Sequence, residues 1–235
     1  IIESLKEQGI QVEQSPYLDY ALGIRGYNYM KAVLAFKRGW FQVQDVSSML
    51  VSEIAAPKWG DYCIDVCAAP GGKTTHIVEL MNNKGKIYAF DVHEHKIELI
   101  KKNAERLGIT IIEPKLSDGC KIDESMINTA DKILCDVPCS GLGIIGRKPE
   151  IKWNRAADND LPKIQRQILD NASKYLKING EIVYSTCTIE KEENEAVTDS
   201  FTADNENFKK VFEKTFYPHI DNTDGFYICK MKRIK

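Results

Sequence analysis

Apolar and polar positions change their period several times along the chain, and the changes mark out its elements. Ile1 to Gln8 follows a helical period and is stopped by Gly9, whereas Gln11 to Gln14 and Ala21 to Ile24 read as extended pieces. Asp45 can cap a helix from Val46 to Ala56, which Pro57 closes. Beyond it, short apolar runs alternate with helical patterns. Strands are predicted at Tyr62 to Val66, Lys86 to Phe90, Thr110 to Ile112, Lys132 to Cys135 and Glu181 to Tyr184, with helices at Thr74 to Met81, His95 to Leu107 and Leu161 to Lys177. A helix at Glu192 to Thr202 and strands at Phe208 to Val211 and Phe226 to Lys230 complete the set. The alternation predicts an α/β fold, a Rossmann-like doubly wound and mostly parallel sheet, with a small α/β piece before it.

The texture changes near Gln44, so residues 1–40 are expected to be a partial auxiliary module and 41–235 the main domain. The first residue is Ile and opens directly into helical sequence, which suggests a fragment lacking its N-terminal part. With 43% hydrophobic and 28% charged residues, collagen-like, coiled-coil and disordered chains are excluded. Apolar runs such as Ala32 to Phe36 fall far short of the ~18 residues of a membrane helix, and no secretory signal opens the chain. The net charge of -2 argues against a protein coated in nucleic acid, though not against a local basic patch. Seven cysteines, an odd number in a chain too long to need disulfides, point to reduced thiols in the cytoplasm.

After the first strand of the alternating series comes Cys67-Ala68-Ala69-Pro70-Gly71-Gly72-Lys73-Thr74. Glycines there permit a left-handed turn and let backbone N–H groups approach a ligand. Gly72-Lys73-Thr74 spells the end of a Walker A loop, but that pattern needs Gly where Cys67 stands, and the glycine spacing of a nicotinamide site is missing too. Asp91 follows Gly71 by 20 residues and ends the second strand, where a carboxylate can take both ribose hydroxyls or cap the next helix. Asp118 follows the third strand and could reach an adenine amino group or stabilise a turn. Two acids without a phosphate cradle suit S-adenosyl-L-methionine, which has no phosphate to hold.

The fourth strand runs into Asp136-Val137-Pro138-Cys139-Ser140-Gly141 and the fifth into Ser185-Thr186-Cys187-Thr188. Neighbouring strands lie about 4.8 Å apart, so both thiols are expected to face one pocket. A disulfide is disfavoured in a reducing compartment, and zinc lacks companion ligands, so no metal is expected; two separate catalytic roles remain. A soft thiolate adding to carbon 6 of a pyrimidine makes carbon 5 enamine-like and able to accept a methyl group. A second group must then remove the carbon 5 proton, while Asp136 is placed to hydrogen-bond ring nitrogen 3. N-methylating enzymes are expected to carry Asn or Asp followed by Pro-Pro and an aromatic residue here, so Cys139 favours carbon methylation. Cys63, Cys120, Cys135 and Cys229 read as small buried hydrophobes.

Together with Gly39 to Asp45, Asp65 to Thr75 and Arg147 to Trp153, these motifs resemble the RNA cytosine-5 methyltransferases, and within them the bacterial small-subunit ribosomal RNA branch of the RsmB (Fmu or Sun) type. The resemblance runs from about Gly39 to the C-terminus. It implies a class I S-adenosylmethionine methyltransferase fold and 5-methylcytidine formation in 16S ribosomal RNA. A transfer RNA substrate and a non-catalytic RNA-binding assembly factor are the alternatives. It implies that Cys67, Ala68, Ala69, Pro70, Gly71, Gly72 and Lys73 contact the cofactor, joined by Asp91, Asp118 and Asp136. It makes Cys187 the nucleophile and Cys139 the thiol that resolves the adduct, with Lys73 near the base. It also implies a helical RNA-binding domain ahead of the residues present, with residues 1–40 remaining from a small RNA-recognition-like module.

Val137 to Asp160 spans 24 residues, and loops beyond ~12–15 residues are usually functional or disordered. From Arg147 to Arg166 six basic residues face three acidic ones, with Arg147, Lys148, Lys152 and Arg155 around Trp153, a stacking surface for unpaired bases. A base must leave its stack to reach Cys187, so the expected partner is an unpaired or loop cytosine in RNA, bound by a monomer without membrane or metal. His76, His93, His95 and His219 show no triad spacing and are assigned no chemistry.

Overall fold

In the computed structural model, which describes residues 1–153 and 160–235, the alternating pattern becomes a seven-stranded sheet preceded by a two-stranded one. The elements are α1 (Ile2–Glu7), β1 (Gln11–Gln14), β2 (Leu22–Arg25), α2 (Leu34–Lys37), α3 (Val46–Ala55), β3 (Tyr62–Asp65), α4 (Gly72–Leu80), β4 (Lys86–Asp91), α5 (Glu94–Leu107), β5 (Ile112–Leu116), β6 (Ala130–Asp136), α6 (Leu161–Tyr175), β7 (Leu176–Thr186), α7 (Glu195–Asp204), β8 (Phe208–Phe216), α8 (Pro218–Asp221) and β9 (Phe226–Arg233). Strand order in the large sheet is β5-β4-β3-β6-β7-β9-β8. The first five run parallel, and β9 and β8 close the far side antiparallel. The order reverses between β3 and β6, so the loops after the parallel strands meet at that edge.

Successive strand residues point to opposite faces, and the central strands here are apolar on both. Ile64, Ile133 and Ile182 pack on one face with Leu169 of α6 and Phe201 of α7. Their neighbours Cys63, Leu134 and Val183 pack on the other with Val51 of α3 and Ile77 of α4. Both faces are thus held, and the strand ends that carry the motifs are fixed by their roots.

Several elements depart from the periodicity, among them β8, which runs on to Phe216 rather than stopping at Val211. The third strand lies at Ile112–Leu116 rather than at 110–112, and it accommodates Pro114 because β5 ends the sheet order, where a missing N–H breaks no ladder. The chain passes straight from α6 into β7, so the helix ends at Tyr175 instead of Lys177; pairing then jumps from Ala130–Leu176 to Lys132–Glu181, and Asn179 turns through a φ of 66°. The last long helix begins at Glu195 rather than Glu192, with Asn194 in the capping position and Glu193 and Asn194 buried ahead of it.

The N-terminal segment has a small apolar cluster of its own, Leu5, Ile10, Val33 and Ala35. Arg106 of α5 ties it to the sheet: its guanidinium donates to Phe36 O at 3.1 Å and Phe41 O at 2.8 Å and lies 4.0 Å from the Phe36 ring centroid. Contact is close enough that a Cβ on Gly39 would fall 1.7 Å from Arg106 O. Tyr20 makes a second tie, its hydroxyl meeting Glu53 and, at 2.9 Å, Nε2 of the buried His76. Among the described residues no helix is long and apolar enough to cross a membrane.

Candidate active site

β6 and β7 are paired in register from Lys132–Glu181 to Asp136–Ser185, so the residues just beyond them arrive side by side. Cys139 Sγ lies 3.2 Å from Cys187 Sγ, and the Cys187 N–H points to Cys139 Sγ at 3.3 Å. Both thiols are free. The hydrogen bond from Cys139 holds the Cys187 thiol below its ordinary value, against burial and the nearby Asp136, and Lys73 adds to the lowering. The same bond, together with burial, pushes Cys139 well above the thiol range. Cys187 therefore ionises first and Cys139 keeps its proton. Among the described residues no group of three His, Cys, Asp or Glu side chains could hold a metal.

Lys73 projects from the first turn of α4 across to β6, where its Nζ donates to Asp136 Oδ2 at 2.8 Å. Ser185 Oγ donates to Asp136 Oδ1 at 2.7 Å, and Nζ stands 5.1 Å from the Phe226 ring centroid. Burial pulls the ammonium down, but Asp136 more than reverses this, and Lys73 stays charged with a raised pKa. A Walker A lysine would turn to phosphates over the helix N-terminus, and its following hydroxyl to magnesium. Here Thr74 is buried and its hydroxyl donates to Asp65 Oδ2 at 2.7 Å, so the phosphate-loop alternative fails on geometry.

Gly71 caps α4 with a φ of 101°, and no side chain hydrogen-bonds the start of this helix, so its first-turn N–H groups face the loop. Asp91, only 7% exposed, ends β4; its Oδ1 accepts the His93 N–H at 3.0 Å and lies 3.7 Å from Lys96 Nζ. Asp118 accepts the Cys120 N–H at 3.0 Å and sits 3.6 Å from Lys121, the geometry of a turn carboxylate at the end of β5. Burial keeps the Cys67 thiol neutral in the loop wall. Backbone donors whose one loop cation, Lys73, is already neutralised by Asp136, beside a buried carboxylate at the next strand end, fit a nucleoside sulfonium and would leave a polyphosphate uncompensated.

Of the basic residues expected to meet nucleic acid, Lys148 and Lys152 are exposed and Trp153 is 86% exposed. Arg147 is engaged instead by Asp224, whose N–H reaches Asp45 Oδ1 at 3.3 Å, so it pins its loop to the β9 approach and the start of α3. Arg155 lies outside the described residues. Sequence reasoning passed over Asp65 and Ser185. Asp65 is buried at the end of β3, and burial, only partly offset by the Thr74 hydroxyl, pushes its carboxyl up to about 7. A lone acid ending an apolar strand was the available signal for it.

The chain is similar to known proteins over most of its length. The family model described as 16S rRNA methyltransferase RsmB/F matches residues 52–232. A probable ribosomal RNA small subunit methyltransferase B of Bacillus subtilis is 38% identical over 99% of this chain and 56% of its own length. A tRNA (cytosine(72)-C(5))-methyltransferase of Pyrococcus horikoshii is 35% identical over 86% of this chain and 54% of its own. The crystal structure of NSun6 from Pyrococcus horikoshii with SFG superposes with a TM-score of 0.81 at 34% identity, covering 89% of this chain and 57% of that one. The chain spans about half the length of the curated relatives it matches. A sheet of this order, with two adjoining thiols at its carboxyl edge and a sequence that fits the family model over most of its length, belongs to the RsmB/F family of S-adenosylmethionine-dependent methyltransferases.

Proposed function

We propose that this chain is the catalytic portion of an RNA methyltransferase that forms 5-methylcytidine in small-subunit ribosomal RNA. The observation that carries the reading is the pairing of Cys187 with Cys139 at 3.2 Å beside the Lys73–Asp136 ion pair. Residues 41–235 form the methyltransferase domain and 1–40 an auxiliary RNA-facing module, acting as a monomer in the cytoplasm.

The backbone of Cys67 to Lys73, with Asp91 at the ribose and Asp118 toward the adenine, would hold S-adenosylmethionine, which would supply an electrophilic methyl group. The Cys187 thiolate adds to carbon 6 of cytosine, which turns carbon 5 into the nucleophilic position. Asp136 already accepts hydrogen bonds on both oxygens, so it acts at ring nitrogen 3 by orienting the Lys73 ammonium, which donates there as charge develops. Once the Cys187 sulfur is bonded to the base, its hydrogen bond and charge no longer hold the Cys139 proton, and only burial and Asp136 still raise that thiol. Cys139 passes its own proton to solvent and, as a thiolate, takes the carbon 5 proton; the electron pair of that C–H bond re-forms the carbon 5–carbon 6 double bond as the Cys187–carbon 6 bond breaks. Lys148, Lys152 and Trp153, with Arg155 in the same loop, receive the RNA, Trp153 by stacking on an unpaired base, while Arg147 holds the loop in place through Asp224.

The test is transfer of a labelled methyl group from S-adenosylmethionine to small-subunit ribosomal RNA, followed by mapping of 5-methylcytidine by bisulfite sequencing. Label at carbon 5 of one cytosine, lost in Cys187→Ala, is the expected result; label on nitrogen or on ribose overturns the reading. The Pyrococcus horikoshii relative gives a second reading, a transfer RNA substrate. Methylation of transfer RNA in preference to ribosomal RNA, in a direct competition, decides for it.

A further inference from the structure

Just beyond the Cys187 loop, Glu193 and Asn194 are polar yet buried, 6% and 0% exposed. Between them they grip both cysteine loops. Glu193 Oε2 accepts the Ser140 N–H at 2.9 Å and the Gln165 Nε2 at 2.8 Å, and the same Gln165 amide donates to Pro138 O at 2.9 Å. The residues on either side of Cys139 are thereby tied to one carboxylate, one directly and one through Gln165. Asn194 does the same for Cys187: its Nδ2 donates to Thr188 O at 3.1 Å and its Oδ1 accepts the Thr186 hydroxyl at 2.5 Å. Ser140 Oγ joins the two loops by donating to Thr188 Oγ1 at 2.9 Å, and Tyr184 OH anchors the dipeptide to β7 through Glu193 O at 2.6 Å.

A buried carboxylate is costly, yet an apolar side chain in its place would take the acceptor away from the Ser140 N–H and the Gln165 amide. Those donors belong to the Cys139 loop and to the side chain that holds it, so what the carboxylate fixes is the position of the Cys139 sulfur. A sulfur–sulfur hydrogen bond survives only while two loops from different strands stay in fixed register.

We propose that Glu193 and Asn194 are positioning residues that set the separation of the two sulfurs, Glu193 through the Cys139 loop and Asn194 through the Cys187 loop. The inference builds on the reading of Cys187 as nucleophile and Cys139 as its partner. Loosening either grip lengthens the sulfur contact, and Cys187 returns toward an ordinary thiol.

The test uses two shape-preserving variants of the full chain. Glu193→Leu keeps the bulk of the side chain and removes the one oxygen that accepts both Ser140 N–H and Gln165 Nε2; Asn194→Asp keeps the acceptor for Thr186 and loses the donor to Thr188. Cys187 alkylation by iodoacetamide is followed against pH by peptide mass, and methyl transfer and cofactor affinity are measured on the same preparations. The alkylation midpoint is expected to rise by about one pH unit in each variant and kcat to fall about tenfold, with the KM for RNA and the affinity for S-adenosylmethionine changed less than about twofold. If one variant does not fold, as judged by its melting curve, the other carries the test. An unchanged Cys187 profile in a folded variant overturns the proposal. A wild-type chain with a lowered Cys187 midpoint that moves no methyl group to RNA overturns the functional reading instead, because alkylation is read without RNA.

Discussion

Cys139 Sγ and Cys187 Sγ lie 3.2 Å apart, yet the two thiols hold their protons unequally, Cys187 being lowered and Cys139 raised by the bond they share. Cys187→Ala should abolish methyl transfer while leaving the affinity for S-adenosylmethionine unchanged in calorimetry. Cys139→Ala removes the donor, so Cys187 alkylation should need a higher pH than in wild type. The same variant should accumulate a protein–RNA adduct that survives denaturing gels. Absence of the adduct with Cys187 intact would show that Cys139 does not resolve it.

Asp91 is buried where β4 ends, with its Oδ1 engaged by the His93 N–H. Asp91→Ala should weaken S-adenosylmethionine by about 1–3 kcal/mol, the cost of a lost charged hydrogen bond to ribose. Calorimetry measures it, and an unchanged Kd would move the ribose contact to another residue.

Asp65 gives the fold a pH dependence of definite sign. Burial raises its folded pKa to about 7, well above the ordinary carboxylate value, so the folded state binds the proton more tightly than the unfolded one. Stability from this group is therefore greatest below the unfolded pKa and declines as pH rises through about 7, by a few kcal/mol at most. Asp65→Asn should flatten that decline between pH 4 and 8 in urea titrations. A variant with the wild-type slope would assign the dependence elsewhere.

Gly143 is packed where no side chain fits: a Cβ there would lie 1.9 Å from Gly225 O and 2.8 Å from Cys187 O. Its N–H donates to Cys187 O at 3.0 Å, so it supports the backbone of the nucleophile. Gly143→Ala must shift backbone rather than a side-chain tip and should cost about 1–3 kcal/mol. Denaturant midpoints check the stability, and a displaced Cys187 should show as a changed alkylation rate.

Trp153 is 86% exposed beside the exposed Lys148 and Lys152. Trp153→Ala should weaken single-stranded RNA by about 1–3 kcal/mol with little change in salt dependence, the signature of lost stacking. Lys148→Ala and Lys152→Ala should each lower the slope of log affinity against log salt by roughly 0.7, the single-strand value per phosphate contact. Filter binding across a salt series separates the two effects, and equal slopes in all variants would remove this loop from the interface.

Much of this architecture was legible as a pattern. Ile64, Ile133 and Ile182 with their partners Cys63, Leu134 and Val183 had to lie in strands covered on both faces, and short apolar runs between helices say so. Pro114 and the α6-to-β7 junction were misplaced because edge position and register depend on which strand lies alongside. Cys139 and Cys187 stood out because each follows a strand directly. Arg147 counted as free positive charge until Asp224, far along the chain, proved to hold it.

Hydrophobic periodicity and the residues at strand ends determined the parallel sheet and the composition of the pocket, since burial follows locally from alternating side chains. Only the tertiary structure decided how those residues pair. The two sulfurs are 48 positions apart in the chain and Lys73 is 63 from Asp136. Proton sharing, charge and hydrogen-bond direction vary over fractions of an ångström, and such distances are fixed by packing between elements and not by the order of residues within one.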